Sequence, residues 1–277
     1  MKVGMLTAPF ARESIECVLD FAEAASISCL EVVTGPGSKH LDPAKFTAAQ
    51  AKKLLLALEE RELEISSLAY YTPEITDPKK TKDIQRNAKA AIDAAYKLGV
   101  PTVCMIAGFA APGMSKIETI EKVMPKAFAP ILAHARKKGV NIALENWFQT
   151  CLQGLDTFHA MFEAIPDDNF GLNYDPSHLF HQQCDHLLPV SLYANRIFHV
   201  HAKDTLVNRA LRAQVGIYGG GWWRYVIPGF GNIDWGEFIS HLRMNGYDGV
   251  LSIEHEDSAQ GREDGFVRGA WHLEQFC

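Results

Sequence analysis

Four short apolar stretches of the chain each run into a side chain that can bind a cation or carry a proton. "NIALEN" delivers Glu145, "FGLNYD" delivers Asp175, "IFHVHAK" delivers His201 and "VLSIEHED" delivers Glu254. Three carboxylates held close together repel one another, and burial raises the cost of each charge. A single divalent metal ion relieves both, with the imidazole as a fourth donor. The oxygen-rich set favours Mn²⁺ or Mg²⁺ and admits Co²⁺ or Zn²⁺. A metal on a carbonyl oxygen and its neighbouring hydroxyl would stabilise an enediolate. One carboxylate would then remove the proton alpha to the carbonyl and another return one.

A lone glutamate at a strand end is ordinarily a solvated loop residue, and a lone histidine a hydrogen-bonded core residue. Parity separates this case from those. Side chains alternate across a strand, so Asn141, Ala143 and Glu145 share one face while Ile142 and Leu144 share the other. The same split puts Gly171, Asn173 and Asp175 against Leu172 and Tyr174, and His199 and His201 against Phe198 and Val200. It also puts Ser252, Glu254 and Glu256 against Leu251 and Ile253. His255 falls on the outward face, and Asp257 reads as a helix N-cap or a supporting group.

The elements that must position these groups alternate along the whole chain. Strands are expected at 2–8, 29–34, 64–71, 102–108, 141–146, 170–175, 197–203 and 249–256. Helices are expected at 43–60, 79–98, 116–138, 155–165, 186–194, 234–245 and 263–276. Asp42-Pro43 reads as an N-cap with proline at the first helical position, and Gly99 and Gly139 as C-cap glycines. Eight strand–helix units make the fold class α/β, a (β/α)8 TIM barrel forming a single domain over 1–277. A doubly wound sheet would carry a glycine-rich phosphate loop after its first strand, and "TAPFARES" is none. The long gap before the last strand holds 205–233, with "GIYGGGWWRYVIPGFGN", an expected lid between strand 7 and its helix.

Composition narrows the partners. The chain has 277 residues, 47% hydrophobic, with a net charge of -6, which disfavours a nucleic-acid partner. No apolar run approaches the roughly 18 residues of a spanning helix, so no membrane partner is expected. The six cysteines form no CxxC, and the N-terminus reads as a strand rather than a leader, which suits reduced thiols in a cytoplasmic protein.

"ALEN", "NYDPSHL", "HVHAKD", "IPGFGNIDW" and "GYDGVLSIEHED" resemble the xylose isomerase-like TIM-barrel superfamily, specifically its sugar phosphate isomerase/epimerase members. The resemblance runs in order along the chain and is strongest from residue 140. It implies a metal held by Glu145, Asp175, His201 and Glu254, with Glu145 and Glu254 as catalytic acid and base. It implies that His178 touches a substrate oxygen, that the substrate is a small sugar or sugar derivative, and that the chain is a homo-oligomer. Two departures narrow the activity. "HAKD" lacks the extra acidic pair of two-metal, hydride-shifting xylose isomerases. The strand ends "LAYY" and "MIAG" lack the histidines of endonuclease IV-like nucleases.

The expected activity is thus a metal-dependent sugar or keto-sugar isomerase or epimerase. A lyase or dehydratase on a keto-sugar or keto-glycoside is the alternative, since its first half-reaction is the same. A nuclease and a non-catalytic sugar-binding barrel rank lower. Lys203 is a candidate to polarise a substrate oxygen, and Trp147, Trp222, Trp223 and Tyr70 candidates for an apolar wall. Free-ketose epimerases of the family carry an arginine past the strand-7 histidine. Position 207 is Val, leaving Arg209, Arg212 and Arg224, of which Arg224 is the chosen substrate contact. Segments 219–221 and 228–231 suit a phosphate, but no basic cluster accompanies them.

Overall fold

The apolar faces of the strands decide how the chain closes. Ile142, Leu144, Leu172, Tyr174, Leu251 and Ile253 are all buried in one hydrophobic core between strands and helices. In the computed structural model, which describes residues 1–277, that core wraps a closed barrel. Its parallel strands are β1 (Lys2–Leu6), β2 (Cys29–Val33), β3 (Glu64–Ala69), β4 (Thr102–Ile106), β5 (Asn141–Glu145), β6 (Phe170–Tyr174) and β7 (Ile197–Ala202). After a separate antiparallel hairpin, β8 (Asp204–Val207) and β9 (Trp223–Val226), the last barrel strand is β10 (Val250–Ile253). β10 pairs with both β7 and β1, opposing Ser252 to His201 and Met5 to Ile253.

The expected (β/α)8 barrel is therefore the fold, with local corrections. The helix expected from 43 begins at Ala48, capped by Thr47 and Gln50 in a reciprocal capping box. Asp42 instead accepts from the backbone N–H of Gly37 and Ala44 in the preceding turn. The 116–138 stretch is two helices, Lys116–Lys122 and Met124–Lys138, because Pro125 starts a new first turn. Gly99 and Gly139 do end their helices, at φ +70° and +66°. The strands stop one to three residues earlier than expected at their carboxyl ends, so Asp175 and Glu254 stand just beyond theirs.

The 205–233 segment is not a plain loop. β8 and β9 flank a short helix, Arg209–Val215. One buried carboxylate organises its base. Asp204 accepts from the backbone N–H groups of Thr205, Gly229, Gly231, Asn232 and Ile233 and from the Trp235 indole. Position 231 must be glycine for this approach, since a Cβ there would sit 2.1 Å from Asp204 Oδ1. "HAKD" and "IPGFGNIDW" are thus two halves of one anchor.

Barrel interiors of this kind are usually packed with Val, Ile and Leu. Here the axis is polar. His199 donates from Nδ1 to Asn173 Oδ1 at 2.9 Å and accepts at Nε2 from Ser66 Oγ at 3.0 Å. Asn173 Nδ2 in turn donates to Tyr71 Oη at 2.9 Å. Each buried group is satisfied by the next, which makes such an interior tolerable.

Candidate active site

The four sequence-derived ligands meet at the carboxyl-terminal mouth of the barrel. Glu145 ends β5, Asp175 follows β6, His201 lies in β7 and Glu254 follows β10. One donor atom from each lies within 4.8 Å of the others. His201 Nδ1 is 3.1 Å from Glu254 Oε2 and 3.6 Å from Glu145 Oε1. The sequence motifs build this convergence locally. The Asn146 amide clamps the backbone of Asp175 from both sides, donating to its carbonyl and accepting its N–H, each at 2.8 Å. Asp175 Oδ1 caps the helix Pro176–Phe180 through Ser177 N–H, and that helix carries His178.

Charge balance then asks for a cation. Glu31, Glu145, Asp175 and Glu254 crowd the mouth with half-exposed Glu256 at its rim. Against them stand His201 and the fully buried Lys203, whose Nζ lies 2.6 Å from Glu254, 3.2 Å from Asp175 and 3.4 Å from Glu256. Burial works to raise the Glu145 carboxyl, but the His178 hydrogen bond and the nearby His201 and Lys203 hold it well below the usual range. Glu254 is likewise lowered, its burial outweighed by Lys203 and His201. Burial raises Glu256 despite Lys203. Asp175 Oδ2 and His201 Nδ1, both in the four-donor group, are buried without a hydrogen-bond partner. Orphaned acceptors aimed at one another fit a shared ion. The residues present therefore suit one divalent metal.

A second group of donors, Glu31, Cys104 and His199, adjoins the first through His201. Its carboxylate is engaged by His201, Tyr71 and Ser252, and its imidazole by Asn173 and Ser66. It is a hydrogen-bond network.

A cavity of about 440 Å³ opens beside this group. Trp147, His178, Lys203 and Trp223 line it together with Glu145, Glu254 and Glu256. His178 Nε2 is 3.2 Å from Glu145 Oε1 and 3.3 Å from Lys203 Nζ. Three expected contacts are corrected. Tyr70 has the opposite parity from the axis and is buried in the core, and it is Tyr71 that faces the cavity. Arg224 points along the far side of the hairpin, where it pairs with Asp257 at 2.6 Å. Trp222 is also turned inward, donating to the Ile217 carbonyl, and does not line the cavity. His255 packs on Phe266, as its parity required.

Sequence reasoning missed Glu31, Tyr71 and Tyr225. Tyr225 Oη reaches His178 Nδ1 at 2.6 Å and His181 Nε2 at 3.2 Å. His181 stacks on Trp223 with centroids 3.9 Å apart. Glu31 had a signal: an acid inside the apolar strand "CLEVV", the same anomaly that marked "VLSIEHED".

A profile for the xylose isomerase-like TIM barrel matches residues 19–276. This chain belongs to that family. The family fits the eight-stranded parallel barrel and the donors gathered at its mouth. Among curated relatives within reach, the uncharacterised protein YfiH of Bacillus subtilis is 28% identical across 99% of both chains. An inosose dehydratase of Clostridium perfringens is 24% identical across 82% of this chain and 81% of its own. Two solved structures share the family fold. The IOLI protein with a bound zinc atom has a TM-score of 0.78 at 19% identity, covering 100% of this chain and 99% of its own. A D-tagatose 3-epimerase-like protein has a TM-score of 0.76 at 21% identity, covering 100% and 97%.

No helix is long and apolar enough to cross a membrane, and all six cysteines are free thiols.

Proposed function

We propose that this chain is a divalent-metal-dependent isomerase or epimerase of a sugar or keto-sugar, working by proton transfer at the carbon beside a carbonyl. The observation that carries this reading is the pair Glu145 and Glu254, both held ionised in one small cavity. They stand at the ends of β5 and β10, with β6 and β7 between them, and so approach a ligand from different sides. One carboxylate takes the α proton and the other returns one. Return to the same carbon inverts it, and return to its neighbour exchanges aldose and ketose. Glu145, Asp175, His201 and Glu254 are the residues that would hold the metal. A bound Mn²⁺ or Mg²⁺, or a zinc such as the IOLI protein holds, would polarise the carbonyl and ease proton removal.

The remaining residues orient the substrate. His178, held between Glu145 and Tyr225, presents a ring N–H at the cavity. Lys203 supplies a buried ammonium for a developing oxyanion. Trp147 and Trp223 offer flat apolar walls to a sugar face. The 204–226 hairpin, which brings Trp223 and Tyr225, is the proposed lid over the site.

A dehydratase is the second reading. The same α proton would be lost, and a β hydroxyl would leave with a proton from the Lys203 and His178 pair, 3.3 Å apart. Relatedness to inosose dehydratases supports it.

The test is a screen of ketoses and cyclic keto-polyols with Mn²⁺ in deuterated water. Solvent deuterium at a carbon next to the carbonyl supports proton transfer. An epimer or ketose product then marks the first reading, and an unsaturated ketone the second. If no compound exchanges under any metal, the proton-transfer reading is wrong.

A further inference from the structure

Glu31 is the one buried carboxylate at the mouth that belongs to neither the four-donor group nor the cavity wall. It is fully buried in the middle of β2, where a valine or isoleucine would be expected to pack. Three donors converge on it. His201 Nε2 lies 3.0 Å from Oε2, Ser252 Oγ donates to Oε2 at 2.8 Å, and the Tyr71 hydroxyl donates to Oε1. A buried charge with this much satisfaction is a fixed part of the fold.

We infer that Glu31 is a positioning residue for the metal centre, clamping the His201 ring so that Nδ1 is the nitrogen presented to an ion. This inference rests on the metal reading above. A carboxylate oxygen only accepts, so the nitrogen that Glu31 contacts carries a hydrogen. In a neutral ring the other nitrogen, Nδ1, is then bare. Nδ1 is the atom that lies 3.1 Å from Glu254 and 3.6 Å from Glu145 and that lacks a partner. Asn173 does not compete for the role. Its Nδ2 lies 2.9 Å from Nε2 too, but Nδ2 only donates while its Oδ1 is held by His199, and it has the Tyr71 hydroxyl as an acceptor at 2.9 Å, so Glu31 is the acceptor left for a hydrogen on Nε2. Ligand histidines commonly donate their second N–H to a carboxylate, which orients the ring and raises its basicity. The β2 strand thus contributes to a site whose ligands all come from β5, β6, β7 and β10.

The test compares wild type, Glu31→Gln and Glu31→Leu. Co²⁺ binding is titrated by visible absorption, with thermal melts as the folding control. Glu31→Leu should weaken Co²⁺ binding about 10- to 100-fold. Glu31→Gln should retain most of the affinity, because its amide oxygen still accepts from Nε2–H. In parallel, ¹⁵N spectra of histidine-labelled, Zn²⁺-loaded wild type should show His201 with a protonated Nε2 and a metal-bound Nδ1. Wild-type affinity in a folded Glu31→Leu protein, or metal on Nε2, overturns the inference. If Glu31→Leu does not fold, the wild-type spectrum decides alone. If wild type binds neither Co²⁺ nor Zn²⁺, the metal reading itself is wrong and this inference goes with it.

Discussion

Lys203 and Glu254 form an ion pair of 2.6 Å at the barrel mouth, with the lysine side chain only 2% exposed. The lysine therefore neutralises part of the carboxylate cluster in the metal-free protein. Lys203→Met removes that charge and leaves Glu254 and Asp175 facing each other. The metal-free variant should lose about 3–5 kcal/mol, the usual result of stranding a buried charge. Added Mn²⁺ should recover much of the loss. Thermal melts with and without Mn²⁺ check both halves, and a variant as stable as wild type without metal would contradict the role.

Glu145→Gln and Glu254→Gln keep the volume of each side chain but cannot accept a proton. Each should lower turnover about 10²- to 10⁴-fold or more while the melting temperature changes little. The measurement is the rate of solvent-deuterium incorporation for the substrate that the screen identifies. Retained activity in either variant would end the two-carboxylate mechanism.

Metal content follows from the orphaned donors. Elemental analysis of the reconstituted protein should find about one divalent ion per chain. Asp175→Ala, which deletes one donor of the four-ligand group, should lose it. A chelator should lower the melting temperature of wild type and leave the variant unmoved.

Asp204→Ala tests the hairpin anchor. The substitution removes the carboxylate that five backbone N–H groups and one indole N–H share, of which the Asn232 N–H keeps the Thr205 carbonyl as a second acceptor. Loss of about 3 kcal/mol or more is expected, since buried donors are costly to leave unpaired. Limited proteolysis should cut first within 205–233. Cutting elsewhere would mean that Asp204 is not the anchor.

His181 gives a pH dependence. Burial, then the charges of His178 and Lys203, push it down to about 3 from an ordinary value of 6.5. The folded value lies below the unfolded one, so the unfolded chain binds this proton more readily. The group's stabilisation is complete above about pH 6.5 and is lost progressively as pH falls toward about 3. His181→Leu should reduce the slope of stability between pH 6 and 4 by up to about 1.4 kcal/mol per pH unit. Urea melts across that range measure it, and an unchanged slope would show that His181 is not buried as a neutral ring.

Much of this protein was legible in the order of its residues. Alternation of period 2 placed Glu145, Asp175, His201 and Glu254 on one face of four strands, because a strand's side chains can only point two ways. Glycine at 99 and 139 ended helices because only a residue free to adopt positive φ does so cheaply. The barrel followed from the repeat of strand and helix, and the proposal of a metal from the acid that the repeat gathered.

What the sequence left open depends on contacts between elements far apart in the chain. Glu31 meets His201 across 170 positions, and Tyr225 meets His178 across 47. No local pattern reports such a meeting, because it is set by which strands become neighbours when the barrel closes. The same limit explains Tyr70 and Arg224. Both residue types suit a substrate, but one step of strand parity put Tyr71 in the cavity instead. An ion pair with Asp257 drew Arg224 to the far side of the hairpin. Sequence decided which groups were available and which face each would take. The closed barrel decided which of them touch, because only closure fixes the distance between one strand end and the next.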